Sequence, residues 1–511
     1  MFVDLGVRDF LDRAELVYPD RVAVVDEPDQ PAPSWGEVTY RDMARLARGQ
    51  AAVLDALGVA AGGRVAIVSQ NAARLLVSFF GVSGRGRILV PINFRLAAAE
   101  VAYIVADSGA EVLIVDPEVE HLLDTVTAKH VFVIGRDDEN IFGVPGSTAT
   151  PVEWSGDENT TATINYTSGT TARPKGVQLT HRNLWLNAVT FALHVALTEN
   201  DVLLHTLPMF HANGWGMPYA ATGVGARHIV LRKVDGGEIL RRIAEHGVTI
   251  MCAAPAVVTA ALDAAAAWPG EIPGRGTVRI IVAGAPPPTR VIHRVRAELG
   301  WEFIQIYGLT ETSPLLTVNR FRSEWEADEP MEQARRLGRA GAPALGVRIA
   351  IDEDGEVLAR SNHVLDAYWN KPEETEKALA GDWFHTGDKG SLDDAYLTIA
   401  DRKKDVIISG GENVTSIEVE DALIAHPAVR EAAVIGIPDE KWGELVTAIV
   451  VTDGSTVTAA DIVAHCRTLL AGYKCPKRIE FVDALPRTAT GKIQKFVLRR
   501  PFWEGRDKQV N

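Results

Sequence analysis

The 511-residue sequence has few cysteines, a deficit of positive charge and no long apolar run. Its three cysteines, Cys252, Cys466 and Cys475, are too widely spaced for a zinc motif or a disulfide framework, so we expect a reducing, cytoplasmic setting. The net charge of -15 argues against non-specific nucleic-acid binding. No run of about 18 uncharged apolar residues is present, which predicts that nothing spans a membrane. Residues 1–20 hold several acidic groups and lack the apolar segment of a signal peptide.

Short β-branched runs alternate with helical patterns over the N-terminal part of the chain. Hydrophobic residues make up 47% of the sequence, enough for a large core, and the length allows roughly three domain-sized units. The alternation predicts parallel sheets covered by helices. The expected strands are Val65–Val68, Ile88–Pro91, Val112–Val115, Val131–Ile134 and Ile280–Val282, and helices are expected over Ala72–Phe80 and after an N-cap at Thr180.

The charged run Asp401–Asp405 separates a large N-terminal region from a shorter C-terminal one. Beyond it lie predicted strands at 432–437 and 446–451 and predicted helices at 416–425 and 459–470, enough for a small domain. We therefore predict an α/β protein: residues 1–400 form a large domain of parallel-type sheets with covering helices, and residues 401–511 form a small α+β domain.

The segment from Tyr166 to Val177 restricts the possible functions of the protein more than any other part of the sequence. It reads YTSGTTARPKGV, with three threonines, a serine, two glycines and Lys175 between apolar segments. Hydroxyls and backbone N–H groups hold phosphate oxygens, glycine lets the main chain approach them, and lysine adds a point charge. The ending Gly-Lys-Ser/Thr of a Walker A loop is absent, so a different triphosphate cradle is indicated.

Four later motifs stand in a recognisable order. They are YGLTE at 307–311, TGD at 386–388, the run DRKKD at 401–405 followed by VIISGGEN, and PRTATGKI at 486–493. Together with the first segment they resemble the adenylate-forming superfamily of acyl-CoA synthetases, luciferases and peptide-synthetase adenylation domains, and acyl-CoA synthetases most of all. The resemblance runs from about Val65 to Lys495. It implies that ATP activates a carboxylic acid as acyl-AMP and that the acyl group then passes to coenzyme A.

The resemblance also implies roles for individual residues. Catalysis falls to Lys492, Thr310 and Glu311, and Glu311 holds Mg²⁺, a hard cation that prefers carboxylate oxygen. Asp401 lies at a hinge about which the C-terminal domain moves, so that Lys492 serves the first half-reaction only. The nucleotide is expected to contact Thr167, Ser168, Gly169, Thr170, Thr171, Lys175, Gly284, Ala285, Tyr307, Gly308, Asp388 and Arg402. The CoA arm and its phosphates are expected to contact Ser409, Gly410, Gly411, Lys474 and Lys477.

The acid pocket is expected to involve His211, Ala212, Asn213, Gly214, Gly284 and Thr312. Several of these residues are small, and these segments lack a base to pair with a second carboxylate or an early acidic residue to hold an amino group. This favours a bulky apolar monocarboxylic acid, although helix packing explains the small residues equally well.

One residue departs from the family pattern, because Ala172 stands where the family has glycine. If that position needs a positive φ or a close main-chain approach, the methyl group costs roughly 1–3 kcal/mol of strain. Adenylation is then impaired, and the enzyme makes thioesters from an adenylate supplied by a separate adenylating enzyme. Two further alternatives are an enzyme that loads a carrier protein instead of CoA, and an idle ligand-binding protein that keeps the fold.

Overall fold

The computed structural model describes residues 1, 3–144, 150–167, 173–402, 405–439, 441–488 and 492–504, and the side chain of Arg402 lies outside this description. Within these ranges, every helix is too short or too polar to cross a membrane.

Sixteen helices are present in the described ranges. They are α1 Arg8–Val17, α2 Tyr40–Ala56, α3 Ala73–Gly81, α4 Ala98–Ser108, α5 Asp138–Phe142, α6 His181–His194, α7 Ala212–Trp215, α8 Met217–Val224, α9 Gly236–His246, α10 Pro255–Ala266, α11 Thr289–Arg294, α12 Pro330–Leu337, α13 Pro372–Ala378, α14 Ser416–Ile424, α15 Ala459–Leu469 and α16 Lys495–Trp503. Short 3₁₀ segments cover Ser83–Arg85, Pro117–Asp124, Thr310–Thr312, Ser323–Trp325 and Ala380–Asp382, and a π-helical turn covers Val295–Leu299.

The described residues also form twenty-five strands. They are β1 Val22–Val25, β2 Glu37–Thr39, β3 Arg64–Val68, β4 Ile88–Ile92, β5 Val112–Val115, β6 His130–Val133, β7 Thr161–Thr167, β8 Lys175–Thr180, β9 Val202–His205, β10 Arg227–Val230, β11 Ile250–Ala253, β12 Arg279–Val282, β13 Glu302–Gly308, β14 Leu315–Asn319, β15 Ala342–Pro343, β16 Arg348–Ile351, β17 Glu356–Arg360, β18 Ala367–Tyr368, β19 Phe384–Asp393, β20 Tyr396–Arg402, β21 Ile407–Ser409, β22 Glu412–Val414, β23 Val429–Asp439, β24 Gly443–Thr452 and β25 Arg478–Phe481.

Two large sheets form the N-terminal region. One has nine strands in the order β15-β14-β13-β12-β11-β9-β10-β1-β2, and the other has seven in the order β18-β8-β7-β4-β3-β5-β6. Interior pairs such as β11–β12, β12–β13 and β3–β4 are parallel, and the outer pairs β1–β2, β13–β14 and β7–β8 are antiparallel. The prediction of parallel sheets covered by helices is therefore confirmed, with antiparallel strands added at the edges.

The elements predicted from periodicity are present with small shifts at their ends. The strand expected at Val131–Ile134 is β6, which runs from His130 to Val133. Thr180 is the N-cap of α6, and its hydroxyl accepts a hydrogen bond of 3.1 Å from the Asn183 N–H. Continuous apolar runs mark these strands because helices bury both faces of a parallel sheet.

The core between the two large sheets is rich in aromatic side chains. Every residue of α3 is buried. Phe79 of this helix stacks on Tyr219 of α8 with a ring-centroid separation of 5.6 Å, and Phe80 meets the same tyrosine edge-on at 5.7 Å. This packing fixes α8, and with it the loop that precedes α8, against α3.

The last part of the chain forms two smaller sheets. Strands β16, β17, β19 and β20 make a four-stranded sheet, and β22, β21, β24 and β23, with β25 beside β24, make a five-stranded one. Helices α14 and α15 cover one face of the latter through Val419 and Ile462, and Leu498 and Phe502 of α16 pack on the other. The protein thus has the predicted large N-terminal and small C-terminal parts.

Candidate active site

The carboxyl ends of neighbouring parallel strands in the nine-stranded sheet bring the central site residues together. Gly284 follows β12, Tyr307 lies at the end of β13, and His211 follows β9 after a short loop. Ligands in open α/β sheets bind at this edge because loops from adjacent strands converge there. Three segments that are distant in the sequence therefore border one cleft.

Gly308 is required at the end of β13 by a close backbone approach. A Cβ atom at this position would lie 1.5 Å from the carbonyl oxygen of Pro314, an impossible contact. The chain then turns through Thr310–Thr312, and the buried Thr312 hydroxyl donates a hydrogen bond of 2.6 Å to the same carbonyl. Thr312, predicted to line the acid pocket, thus uses its hydroxyl to hold this turn.

Asp388 and Tyr307, both predicted nucleotide contacts, touch each other. The Tyr307 hydroxyl donates a hydrogen bond of 2.8 Å to Oδ2 of Asp388. Asp388 lies in β19 opposite Arg402 of β20, where the sequence predicted a ribose contact. The neighbouring Gly387 N–H donates to Oε1 of Glu356 at 2.9 Å, so the Glu356 carboxylate fixes the turn that presents Asp388.

Glu311, the predicted Mg²⁺ ligand, is oriented by a tyrosine. The Tyr368 hydroxyl donates a hydrogen bond of 3.0 Å to Oε1 of Glu311. The same tyrosine ring lies 5.4 Å from the ammonium nitrogen of Lys175, in cation–π geometry. One side chain therefore links the carboxylate expected to hold the metal to the lysine expected to hold the phosphates. A carboxylate in this setting fits Mg²⁺, which prefers oxygen ligands.

Lys175 stands at the base of a hairpin formed by β7 and β8. Thr167 is paired opposite Lys175 in this antiparallel ladder. Between them lie Ser168, Gly169, Thr170, Thr171 and Ala172, which are outside the described residues. The two strands set the position at which the chain enters and leaves the predicted phosphate loop.

The segment around His211 owes its small residues to its backbone. Ala212, Asn213, Gly214, Trp215 and Gly216 all have positive φ, from 39° to 78°. A Cβ atom at Gly216 would lie 2.3 Å from Nδ2 of Asn187, and one at Gly214 would lie 3.0 Å from Cγ of Pro218. A left-handed turn and close packing therefore account for these glycines, and their size is no measure of the room left for an acid.

Lys492 of the C-terminal domain reaches the cleft. A Cβ atom placed on Gly284 would lie 3.3 Å from Cε of Lys492. Burial lowers the pKa of His211 to about 3, and the nearby Lys492 ammonium acts in the same direction, so this imidazole is neutral at physiological pH. Lys492, Gly284 and His211 therefore lie together, and the Lys492 ammonium stands beside a neutral ring.

Direct contacts hold the C-terminal domain in this position. The Asp421 carboxylate, on α14, accepts hydrogen bonds from the Thr289 N–H at 2.9 Å and from the Thr289 hydroxyl at 3.2 Å. The Arg290 guanidinium donates to the carbonyl of His426 at 3.2 Å. Two adjacent residues at the start of α11 thus grip α14 and the turn that follows it.

Asp401, the predicted hinge residue, belongs to a buried network of charges. Its carboxylate accepts hydrogen bonds from the Ser416 N–H at 2.8 Å and hydroxyl at 2.6 Å. Lys495, three residues after Lys492, contacts the same hydroxyl and pairs with Glu420 at 2.7 Å. The hinge position and the segment that carries Lys492 are therefore joined through α14.

The predicted CoA contacts all lie in the C-terminal domain. Ser409 ends β21, and Gly410 and Gly411 form a turn with positive φ in which the Gly410 N–H donates to the carbonyl of Trp442 at 2.7 Å. Lys474 is ion-paired with Glu418 at 2.7 Å, and the Lys477 ammonium donates to the carbonyl of Gly472.

Sequence reasoning missed Tyr368 and Glu356. Tyr368 sits in the two-residue strand β18, and Glu356 begins β17. Tyr368 does not stand out by periodicity, and Glu356 is one of four acidic residues between positions 352 and 356, with nothing in the sequence to single it out. Their roles follow from pairing between segments far apart in the chain, which a single sequence does not display.

Comparison with known proteins agrees with this geometry. Residues 11–369 match the family model "AMP-binding enzyme", and residues 418–492 match "AMP-binding enzyme C-terminal domain". The chain is 36% identical to 4-hydroxybutyrate–CoA ligase 2 of Metallosphaera sedula, over 96% of this chain and 93% of that one. It is 38% identical to the long-chain-fatty-acid–CoA ligase FadD13 of Mycobacterium tuberculosis, over 91% and 93%.

Solved structures show the same likeness. The anthranilate CoA ligase AuaEII, in complex with anthranoyl-AMP, superposes with a TM-score of 0.87 at 29% identity, covering 98% of each chain. Fold and site together define an adenylate-forming enzyme. The chain belongs to the AMP-binding enzyme family, and it is an AMP-forming acid–CoA ligase.

Proposed function

We propose that this ligase activates an apolar monocarboxylic acid at the cleft between His211, Gly284 and Lys492, and that the C-terminal domain then moves to admit CoA. The position of Lys492 carries the proposal, because a lysine from a separate domain lies against Gly284 inside the cleft. The Tyr307–Asp388 pair provides the ribose end of a nucleotide site beside it.

The first step joins two anions. A carboxylate oxygen of the acid attacks the α-phosphorus of ATP, an O–P bond forms, and the bond to pyrophosphate breaks. The Lys492 ammonium supplies positive charge between the acid and α-phosphate oxygens, where charge develops. We assign Thr310 to an α-phosphate oxygen and Lys175 to the departing pyrophosphate. Mg²⁺, held by Glu311, would neutralise further phosphate charge.

The second step needs a different face of the C-terminal domain. The thiol of CoA loses its proton to solvent and attacks the acyl carbon, a C–S bond forms, the C–O bond to the AMP phosphate breaks, and AMP leaves. Ser409, Gly410 and Gly411 have little bulk to obstruct a pantetheine arm, and Lys474 and Lys477 are the proposed phosphate contacts. We place the hinge at Asp401, between residues 1–400 and 401–511, because its carboxylate already binds α14.

The acid is proposed to be apolar, and a bulky one remains our first candidate. Around the cleft, His211 is uncharged at neutral pH and the adjoining segment is fully buried from Ala212 to Gly216. The relatives act on acids that differ widely in length, by their names. A panel of short, branched, aromatic and long-chain acids, compared by kcat/KM, tests the preference.

The variant Lys492→Ala tests the mechanism. We expect acid-dependent pyrophosphate exchange to fall by roughly 10²–10³, the scale of losing one donor to a transition state. Thioester formation from supplied acyl adenylate and CoA should stay within a few fold of wild type. Equal loss in both half-reactions would contradict the two-pose account. A protein that makes thioester from adenylate but exchanges no pyrophosphate even as wild type would instead support the thioester-only alternative.

A further inference from the structure

The lysine expected to hold pyrophosphate already has an anionic partner in the protein. The Lys175 ammonium makes a close ion pair with the Glu374 carboxylate, and its side chain is only 19% exposed. Glu374 also lies 3.7 Å from the Lys371 ammonium. Hydrogen bonding to Lys175 holds the pKa of Glu374 below its usual range, so the carboxylate is ionised at neutral pH.

The fold delivers Glu374 to this position. Strand β18 pairs with β8, the strand that begins at Lys175. Helix α13 follows β18 after a short turn, and the Thr375 hydroxyl accepts a hydrogen bond of 2.9 Å from the Tyr368 N–H. Glu374 is in the first turn of that helix. Its neighbour Glu373 is exposed to solvent, so two adjacent glutamates differ in whether they face the site.

The arrangement places the Glu374 carboxylate in competition with phosphate. Tyr368 lies against Lys175 and donates to Glu311, so Glu374 borders the groups proposed for Mg²⁺ and pyrophosphate. A phosphate oxygen that takes the Lys175 ammonium must displace this carboxylate or share the ammonium with it. In either case the negative charge of Glu374 opposes a triphosphate nearby.

We propose that Glu374 is a built-in competitor of pyrophosphate: it occupies Lys175 before ATP binds and reclaims it as pyrophosphate leaves. The proposal rests on the proposed role of Lys175. When Lys175 is paired with Glu374 for part of the time, the apparent affinity of the protein for a phosphate ligand falls in proportion to the fraction of molecules in which Lys175 is unpaired. Glu374 therefore weakens the binding of ATP and pyrophosphate and leaves the binding of AMP, which lacks the outer phosphates, unchanged.

The test compares Glu374→Gln with Glu373→Gln, a matched removal of charge one residue away, on the full chain. Isothermal titration with Mg-pyrophosphate and with AMP gives dissociation constants, and initial rates give the KM for ATP. We expect Glu374→Gln to bind pyrophosphate about two- to fivefold more tightly and to lower the KM for ATP similarly, the range of one partly exposed ion pair. AMP binding should stay unchanged, and Glu373→Gln should match wild type in all three. Glu374→Ala should change in the same direction, and thermal melting confirms that each variant is folded.

A second pair of variants separates this inference from the function on which it rests. In a Lys175→Met background, the Glu374→Gln change should lose its effect on pyrophosphate affinity. If Lys175→Met alone leaves pyrophosphate and ATP binding unaltered, the proposed role of Lys175 is wrong. A different outcome refutes the competition alone. In that case Lys175→Met weakens the binding of pyrophosphate and ATP, which shows that Lys175 binds phosphate, but Glu374→Gln either weakens their binding as well or leaves it unchanged.

Discussion

The hydrogen bonds between α11 and α14 can be removed by mutation, which should affect one half-reaction while leaving the side chains of the cleft unchanged. Asp421 accepts two hydrogen bonds from Thr289, at 2.9 and 3.2 Å, and links the two domains. We expect Asp421→Ala to release the C-terminal domain from the pose in which Lys492 reaches Gly284. The active-site side chains themselves remain intact in this variant.

The size of the effect follows from the contact. Hydrogen bonds to a charged group contribute about 1.5–3 kcal/mol, and water replaces part of this because Asp421 is partly exposed. A net loss of about 1–2 kcal/mol shifts the balance between poses by about 5- to 30-fold. Adenylation should fall by up to that factor, according to how evenly the two poses are populated in wild type.

The assay treats the two half-reactions separately. Pyrophosphate exchange reports adenylation, and thioester formation from supplied acyl adenylate and CoA reports the second step, which should be unchanged or faster. Arg430→Ala is the control, because its ion pair with Asp263 also crosses the domains but both side chains are at least half exposed. Such a pair contributes at most about 1 kcal/mol, so the change should be small. Equal slowing of both steps by Asp421→Ala would refute the reasoning.

Three further predictions concern the metal, the phosphate loop and acid stability. Tyr368→Phe removes the hydrogen bond to Glu311, and the Mg²⁺ concentration for half-maximal adenylation should rise about tenfold, with thioester formation from adenylate unaffected. If Ala172 strains the phosphate loop, Ala172→Gly should raise the rate of pyrophosphate exchange. Equal exchange rates in the variant and the wild type would show that the alanine causes no such strain. Burial lowers the pKa of His211 and of His228 to about 3, below the ordinary value of 6.5, so the unfolded chain binds more protons below pH 6.5. The contribution of these neutral histidines to the free energy of unfolding is therefore complete above pH 6.5 and is lost as the pH falls. Melting temperatures should decline when they are measured from pH 7.5 down to 5.0. A melting temperature that does not change over this range would contradict the prediction.

The sequence predicted those parts of the fold in which burial is uniform. Strands such as β3 and β5 are covered on both faces, and their unbroken runs of apolar residues identify them directly. The C-terminal elements α14 and α15 were predicted within a residue or so of their observed ends. Family motifs located Tyr307, Asp388 and Lys492, which the structure gathers around one cleft with the contacts described above.

Other features depend on distant pairing and could not be predicted. The ion pair between Lys175 and Glu374 exists because β18 joins β8 across almost 200 residues of chain, and two residues are too few for a strand pattern. The glycines near His211 were compatible with a roomy pocket or with tight packing. Only the backbone angles and the contact to Asn187 distinguish these readings.

Hydrogen bonds between residues 487–488 and 492–493 hold the backbone of Lys492 independently of the residues that line the acid pocket. The Thr488 N–H donates to the Lys492 carbonyl at 2.7 Å, the Thr488 hydroxyl accepts from the Lys492 N–H at 3.1 Å, and a bridge joins Arg487 to Ile493. These bonds lie wholly within one short stretch of the C-terminal domain. The side chains of the acid pocket can therefore be changed, by mutation or by exchange with a relative, while these backbone hydrogen bonds at Lys492 stay in place. Such hybrids need to preserve the docking edge at Thr289 and Arg290.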